Sequence, residues 1–585
     1  AAPPGLCPVD MTASFLKLFH TQTCGKCVPC RIGLGLLVEM LEDVLDGKAT
    51  METLDLIERT AWVIYNSSDC AIGYEAGRMV LKGLDGFRDD FIEHINEGHC
   101  SFHLEQPVPC VTLCPAGVDI PGYISLVAEG RYADAVRLIR KDNPFVTACA
   151  LVCEHPCETK CRRNIVDDSI NIRGLKRYAA DHCGLVPPPA CSEATGKQVA
   201  IIGGGPSGLS AAYYLQQMGH QCTVFEQRSH LGGMLYYGIP NYRLPKDRLM
   251  EDIANILATG VEVRFNTSIG DDDGQLSFKM LRENYDAVYV AIGAHTDKKL
   301  GIPGEDAKGV VSAVQMLREI GEGNPPDFTG KNVIVVGGGN VAMDATRSAI
   351  RLGASNVSVL YRRRKADMTA LEEEIEAAIA EGAEILELHA PKEIETNEEG
   401  HVTAMVADPK IIGLISGGRP MPAESNRQPI HLPCDVVIIA IGQDIVSDSF
   451  SRAGLPVKRG RILASDDSSI PNVNGVFSGG DCVSGPATVI RAIAAGKVAA
   501  ANIDNYLGYN HIIESEVTVP DPRIENKSPC GRVTMMQRNT TERKQDFELV
   551  EKGMSEKEAI QEAHRCLRCD HFGYGVFKGG RVEEW

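Results

Sequence analysis

At 585 residues the chain exceeds what one hydrophobic core can organise, so several domains are expected. Its net charge of −19 excludes nucleic acid or an anionic membrane surface as an electrostatic partner, since either would repel it. With 44% apolar and 23% charged residues, no apolar run of membrane-spanning length and no basic-then-apolar start, it reads as a globular, cytoplasmic protein.

Twenty cysteines in such a chain point to metal rather than to disulfides, because the cytosol keeps thiols reduced and these thiols gather in short groups. The first group is Cys24-x2-Cys27-x2-Cys30, joined after 39 residues by Cys70. A loop wrapping three corners of a [4Fe–4S] cube, closed by one distant residue, has this spacing. Tetrahedral zinc is the alternative, although zinc ligands usually come as separated pairs. Residues 31–100 read as amphipathic helices. The next group, in CVTLCPAGVDIPGYI and NPFVTACALVCEHPCETKCRRN, holds Cys110, Cys114, Cys149, Cys153, Cys157 and Cys161. LVPPPACSEATG then reads as a semi-rigid spacer.

VAIIGGGPSGLSAAYYLQQMGHQCTVFE opens on an apolar strand, turns through Gly203, Gly205, Pro206, Ser207 and Gly208, continues as a helix, and returns to a strand ending at Glu226. That is a complete βαβ unit whose helix N-terminus offers N–H groups to a pyrophosphate, with Glu226 placed for ribose hydroxyls. KNVIVVGGGNVAMDATRSAIRLGASNVSVLYRRR repeats the pattern with Gly337, Gly339, Asn340 and Ala342. Its second strand ends instead in Tyr361 and Arg362 to Arg364. Arginine forks suit a 2′-phosphate that a carboxylate would repel, so NADP(H) is favoured over NAD(H) and Arg362 and Arg363 are site candidates. The bland alternative is a solvated charge run. DAVYVAIGAHT and CDVVIIAIGQDI read as apolar strands closing on small residues. The tail from 511 is polar and ends in a short helix before Cys566 and Cys569 in EAHRCLRCD.

These motifs carry three resemblances. Residues 197–510 resemble the two-dinucleotide flavoproteins, in which an NAD(P)H domain interrupts an FAD domain. The fold implied is multidomain α/β, with two Rossmann-like dinucleotide-binding domains preceded by α-helical iron–sulfur domains. GVFSGGDCVSGPATVIRAIAAGKVAAANI looks like the returning FAD segment, with Asp481 toward the ribityl chain and Thr488 opening the following helix; Gly233 and GIPNYRLP also fit that family's flavin and pyridine-nucleotide surfaces. Cys482 reads as buried filler rather than a redox thiol, because no CxxC accompanies it. No general base is nominated, since hydride chemistry belongs to the cofactors. TCGKCVPCRIG resembles the cluster-bearing C-terminal domain of the NADH-binding subunit of respiratory complex I and related hydrogenases, without the glycine-rich FMN and NADH site that precedes it there.

Residues 101–185 resemble the cluster domain of the NADPH-glutamate synthase small subunit, of the Nfn-type large subunit and of dihydropyrimidine dehydrogenase. The resemblance implies two [4Fe–4S] clusters, three in the whole chain. Those relatives place a Cys-x2-Cys pair just before the segment at Cys110; here 101–109 is SFHLEQPVP and the pair stands at the far end. The tail is therefore expected to fold back, so that Cys110, Cys161, Cys566 and Cys569 hold one cluster; the alternative is a surface pair or zinc knuckle. The other cluster takes Cys114, Cys153 and Cys157, with Cys149 as fourth ligand or as an inert buried thiol. Relatives have Glu or Gln where this chain has Lys176. Cys7, Cys100, Cys183, Cys191, Cys222, Cys434 and Cys530 read as structural.

The expected domains are 1–100, a helical [4Fe–4S] unit; 101–185, a helical two-cluster unit; 197–300 with 440–510, binding FAD; 301–439, binding NADP(H); and a returning tail, 511–585. The function implied is an NADP(H)-reactive subunit of a transhydrogenase coupling NADP(H), NAD(H) and ferredoxin, bifurcating as in Nfn-type and Stn-type complexes. Its partners would be a flavoprotein subunit carrying FMN and an NADH site, and a further iron–sulfur subunit. The alternatives are a glutamate synthase small subunit and a non-catalytic electron relay.

Overall fold

The computed structural model describes residues 7–98, 108–270, 274–416, 419–520 and 527–570. Cys100 and the last fifteen residues of the tail lie outside the described residues.

Four helices open the chain: α1 (Pro8–Thr21), α2 (Leu34–Leu45), α3 (Met51–Ser67) and α4 (Ala71–Glu97). Leu34, Leu37, Leu41 and Val44 recur at helical spacing and, with Leu16, Ile57, Val80 and Phe91, bury a core of their own. Thr50 and Thr53 form a capping box at the start of α3. Cys7, expected to be structural, is buried and its Sγ lies 3.3 Å from His94 Nε2.

The second unit holds α5 (Ile120–Ala128), α6 (Tyr132–Arg140), α7 (Val146–Val152) and α8 (Ile172–His182). Asp119 caps α5 and Asn171 caps α8, each accepting a backbone N–H three residues on. The proline-rich joint is not a free spacer. Arg140 Nη1 donates to the carbonyl of buried Val186, while Ser192 N and Thr195 N donate to Gln217 O and Gly219 O, laying the strap against its neighbours. Proline supplied stiffness, but backbone hydrogen bonds fix the strap in place.

Next come β1 (Gln198–Ile202), α9 (Pro206–Gln217), β2 (Gln221–Phe225), β3 (Glu262–Arg264) and β4 (Ala287–Val290). They are followed by β5 (Val310–Ser312), β6 (Asn332–Val336), α10 (Asn340–Arg351), β7 (Asn356–Tyr361) and β8 (Glu384–Glu387). After these lie the hairpin strands β9 (Val402–Ser416) and β10 (Arg419–Glu424), then β11 (Val436–Ile439), β12 (Val476–Ser478), α11 (Val489–Tyr506) and, in the tail, α12 (Glu556–His564).

Two five-stranded parallel sheets result, in the orders β12-β4-β1-β2-β3 and β5-β11-β6-β7-β8. Each sheet centres on its glycine-turn strand, β1 or β6, with the next two strands on one side; the edge strand beyond the other neighbour comes last in the chain in the first sheet (β12) and first in the second (β5). The second sheet lies within an interruption of the first. Strands β4 and β11 are buried throughout because helices or loops cover both faces, which is why they read as continuous apolar runs. The first sheet, the second helical unit and Ala559 and Ala563 of α12 share one core. The tail is therefore packed against residues more than 370 positions away, such as Glu562 Oε1 accepting from Asn171 N.

Candidate functional site

The first glycine turn joins β1 to α9 along an open cavity lined by Gly203, Gly205, Pro206, Ser207, Glu226, Gly233 and Asp481 among others. Gly203 has φ +109, and a Cβ there would stand 2.4 Å from Ala291 O; at Gly208 it would meet Gly203 O at 2.0 Å. No other residue lets strand, turn and helix approach so closely. Glu226 closes β2 with one carboxylate oxygen accepting from Gly204 N (2.8 Å) and the other from Arg228 N (2.9 Å). Burial raises its pKa against these bonds. Asp481 reaches the cavity from the end of β12, where burial pushes its pKa up to about 6. Thr488 occupies the N-cap position of α11 without a side-chain capping bond. Cys482 is buried, facing the carbonyls of Val290 and Gly479. A cavity bounded by a glycine turn, a buried carboxylate and a helix N-terminus fits FAD.

The second turn repeats the geometry. Gly337, at φ +148, would place a Cβ 2.3 Å from Ala440 O. Gly339 caps α10, Asn340 begins it and Ala342 is buried beneath it. The three arginines after β7 are not equivalent. Arg364 pairs with Asp367 at 2.9 Å, Arg363 donates from Nε to Pro420 O at 2.8 Å, and Arg362 is exposed with no partner among the described residues. The charge run thus narrows to Arg362 and the free end of Arg363. Arg419, arriving from the β9–β10 hairpin, donates to Tyr361 OH (3.0 Å) and to Asp367 O. Arg419 thus brings a guanidinium from a second segment to the end of β7, where Arg362 and Arg363 stand. Asn340 is committed elsewhere than expected: its Nδ2 donates to Glu154 Oε1 at 2.8 Å and its Oδ1 accepts from Leu371 N. His155, at φ +40, meets Glu373 at 3.1 Å, so the loop from Cys153 to Cys157 is latched to the second dinucleotide domain.

GIPNYRLP supplies more than a flavin surface. Tyr242 is fully buried beneath the guanidinium groups of Arg351 and Arg347, 4.0 and 4.6 Å from its ring centre, and Arg243 pairs with Asp344 at 2.9 Å. Glu381 collects Arg347, Arg351 and Arg543, which ties α10 to the tail.

The cysteines form three groups. Cys30 feels the charges of Cys27 and Cys70 and lies beside Ser68, and Cys24 is exposed on the same loop. A single π-turn over Pro29–Gly33 carries Cys30. Backbone hydrogen bonds at Asp69 and Cys30 hold Cys27 below its ordinary range, whereas burial pushes Cys30 up to about 11. Cys110, Cys161, Cys566 and Cys569 line one small, mainly apolar cavity with Ile120, Ile124 and Leu567. Burial, then neighbouring thiols, lifts Cys569 to about 12; burial lifts Cys566 to about 11. Thiols held neutral by burial and converging on one point are the donor set a [4Fe–4S] cube requires, because coordination removes the proton and supplies the missing positive charge. Burial raises Cys149, Cys153 and Cys157, and the positive charge of Lys176 opposes that rise in each. Cys222, Cys434 and Cys482 are buried, Cys183 is half-buried, and Cys191 and Cys530 are exposed.

The family model for pyridine nucleotide-disulphide oxidoreductases matches residues 197–496, half of the chain. The chain belongs to that family. Ahead of it, residues 10–94 match the NADH-ubiquinone oxidoreductase-F iron–sulfur binding region, and residues 93–184 match the dihydropyrimidine dehydrogenase domain II 4Fe-4S cluster region. This oxidoreductase thus combines an FAD/NADP-binding unit with two 4Fe-4S domains. It is 35% identical to the NADP(+)-dependent formate dehydrogenase subunit beta of Moorella thermoacetica, over 98% of this chain and 92% of that one. The NADPH-Fe(3+) oxidoreductase subunit beta of Geobacter sulfurreducens (strain DL-1 / KN400) is 34% identical, over 96% and 90%. The glutamate synthase [NADPH] small chain of Escherichia coli (strain K12) is 32% identical, over 68% of this chain and 88% of that one. The oxidoreductase is accordingly of the kind that serves as one subunit of a larger complex. No helix among its described residues is long and apolar enough to cross a membrane.

Arg419 was not among the site candidates read from the motifs. Arg419 sits in a hairpin 58 residues beyond Tyr361 and carries no motif of its own.

Proposed function

We propose that this chain exchanges hydride with NADP(H) at an FAD held by the first sheet, and that its three groups of cysteines hold [4Fe–4S] clusters that pass electrons to partner subunits. Bound there, FAD takes two electrons as hydride and releases them singly, the form in which clusters carry them. The chain's own contribution is positional. Gly203 to Gly208 and the α9 N-terminus receive the FAD pyrophosphate, Glu226 the ribose and Asp481 the ribityl chain. Gly337, Gly339 and Ala342 shape the second turn, and Arg362, Arg363 and Arg419 receive the 2′-phosphate. Cys110, Cys161, Cys566 and Cys569 hold one cluster; Cys114, Cys149, Cys153 and Cys157 a second; Cys24, Cys27, Cys30 and Cys70 the third. The convergence of the two tail cysteines with Cys110 and Cys161 carries this reading, because it completes a ligand set that neither end of the chain possesses alone.

The partner is proposed to be a flavoprotein subunit with FMN and an NADH site, docking against the N-terminal module, with a further iron–sulfur subunit and ferredoxin as electron donor or acceptor. The whole-length likeness to beta subunits of NADP-linked complexes supports a partner at that module. The glutamate synthase small chain leaves about a third of this chain unmatched, which disfavours that alternative. Isolation of the native complex tests the reading. NADPH formation that requires NADH and reduced ferredoxin together supports bifurcating coupling. Formate-dependent NADPH formation would instead assign the complex the activity named for the Moorella relative, and glutamine-dependent glutamate formation would assign it to glutamate synthase.

A further inference from the structure

Glu154 and His155, between Cys153 and Cys157, reach out of the second helical unit to the second dinucleotide domain. His155 lies in the left-handed region at φ +40, a conformation that costs energy in a residue with a Cβ and persists where its surroundings hold it. Its Nε2 meets Glu373 Oε1 at 3.1 Å, in the first turn of the helix Glu372–Glu381. Glu154 Oε1 accepts from Nδ2 of Asn340, the first residue of α10, at 2.8 Å. Among the described residues no cation pairs with the Glu154 carboxylate, so its bond to this neutral amide is not a by-product of an ion pair.

Three segments meet at Asn340. Thr369 N and Ala370 N donate to Gly338 O at 3.0 and 3.1 Å, and Leu371 N donates to Asn340 Oδ1 at 3.0 Å, so the segment before the helix Glu372–Glu381 holds the glycine turn from one side. Glu154 holds it from the other. The carboxamide of Asn340 is used at both ends, its oxygen within its own domain and its nitrogen by the iron–sulfur unit. The N–H groups that open a helix are those a pyrophosphate takes. At α10 their direction follows from how Asn340 is held, and a turn already in place spares the nucleotide the cost of ordering it.

We propose that Glu154 is a positioning residue of the NADP(H) site: the cysteine loop of the iron–sulfur unit fixes Asn340, and with it the turn that receives the pyrophosphate. This role rests on the second glycine turn being the NADP(H) site. It leaves that site incomplete without the neighbouring unit and ties the two reciprocally, since a contact that favours the bound nucleotide is favoured by the nucleotide to the same factor. The pyrophosphate is common to NADP(H) and NAD(H). Glu154 therefore adds affinity without selecting between them, which separates it from Arg362, Arg363 and Arg419.

The test is isothermal titration of the holo-chain with 2′-phospho-ADP-ribose, which carries the pyrophosphate and the 2′-phosphate but no nicotinamide, in wild type, E154A, E154Q, N340A and E154A/N340A. E154A is expected to bind about tenfold more weakly, the loss of one charge-assisted hydrogen bond. E154Q, which keeps an acceptor oxygen for Asn340 Nδ2, is expected to stay within threefold of wild type. The double variant is expected to bind no more weakly than N340A, because both changes break the same bond. Equal binding by wild type and E154A overturns the proposal, and so does E154Q as weak as E154A or a double variant in which the two losses multiply. E154A and E154Q both binding more tightly than wild type also overturns it, and makes Glu154 a repelling charge. Should E154A be purified without its iron or flavin, hydrogen exchange on the wild type decides. Saturating 2′-phospho-ADP-ribose is expected to slow exchange in peptides covering 153–158 together with those covering 337–343, and slowing confined to 337–343 overturns the proposal. A wild type that does not bind 2′-phospho-ADP-ribose overturns the reading of the second turn as well, whereas binding with E154A unchanged overturns the role of Glu154 alone.

Discussion

Arg163 is the side chain on which the return of the tail depends most. It is 1% exposed, and its guanidinium donates to Asp167 Oδ1 at 2.6 Å and Oδ2 at 2.9 Å, to Lys527 O and Ser528 O at 2.8 Å each, and to Arg565 O at 3.3 Å. Replacing it with methionine keeps much of the volume and removes every one of these bonds. Breaking a buried ion pair from one side costs about 3–5 kcal/mol. Asp167 keeps Arg565 as a second partner at 2.9 Å, so the lower end applies, about 3 kcal/mol. That is roughly a hundredfold rise in the equilibrium for local opening of residues 527–570. Hydrogen exchange followed by mass spectrometry on the intact protein reads it directly: peptides covering α12 are expected to exchange about a hundred times faster in R163M, while peptides of α1 to α4, which have their own core, are unchanged. Equal protection of α12 in both proteins would show that the tail is not held by this network.

Removing Arg362 or Arg419 is expected to weaken NADPH binding by about 10- to 100-fold while leaving NADH binding nearly unchanged, since each charge-assisted hydrogen bond contributes about 1.5–3 kcal/mol. Isothermal titration with both nucleotides checks this, and equal losses for the two would remove these residues from the 2′-phosphate pocket. Gly208→Ala, whose Cβ would press on Gly203 O, is expected to be purified with little or no bound flavin, measured by absorbance after acid release. The His220–Asp504–His511 group, with contacts of 2.8 and 2.7 Å, is expected to make the protein acid-sensitive. Burial holds His220 below its ordinary range, so its contribution is present above pH of about 6.5 and lost as pH falls. Burial also opposes ionisation of Asp504, but hydrogen bonds from His511 and His220 outweigh it and keep the carboxyl below its usual range. The thermal midpoint should therefore fall between pH 7.5 and 5 in wild type and less steeply in H220N; equal slopes would contradict this.

Much of this architecture is legible in residues close together in the chain. The glycine turns, the apolar strands β1, β4, β6 and β11, and the contrast between Glu226 and Arg362 are local patterns, and both parallel sheets follow from them. What the chain conceals is what distant segments do to each other. Asn340 fits a nucleotide turn, yet its side chain is held by Glu154 across 186 positions. Arg364 belongs to the same basic run as Arg362 but is neutralised by Asp367 once the turn after β7 closes. Within GIPNYRLP, Tyr242 is sealed beneath Arg347 and Arg351, more than a hundred positions away. The exposure of Cys191 and Cys530 likewise depends on how the strap and the tail lie, which no spacing encodes. The meeting of Cys566 and Cys569 with Cys110 and Cys161 is the exception, because the absence of a cysteine pair before Cys110 and its presence at Cys566 and Cys569 are both visible in the sequence.

The central claim, that the two ends of the chain share one cluster, is tested most directly by iron content and EPR spectra of a C566A/C569A double variant. The expected result is a loss of about four of about twelve irons, disappearance of one reduced-cluster signal, and a flavin still bleached by NADPH. Full iron with all cluster signals retained would contradict it.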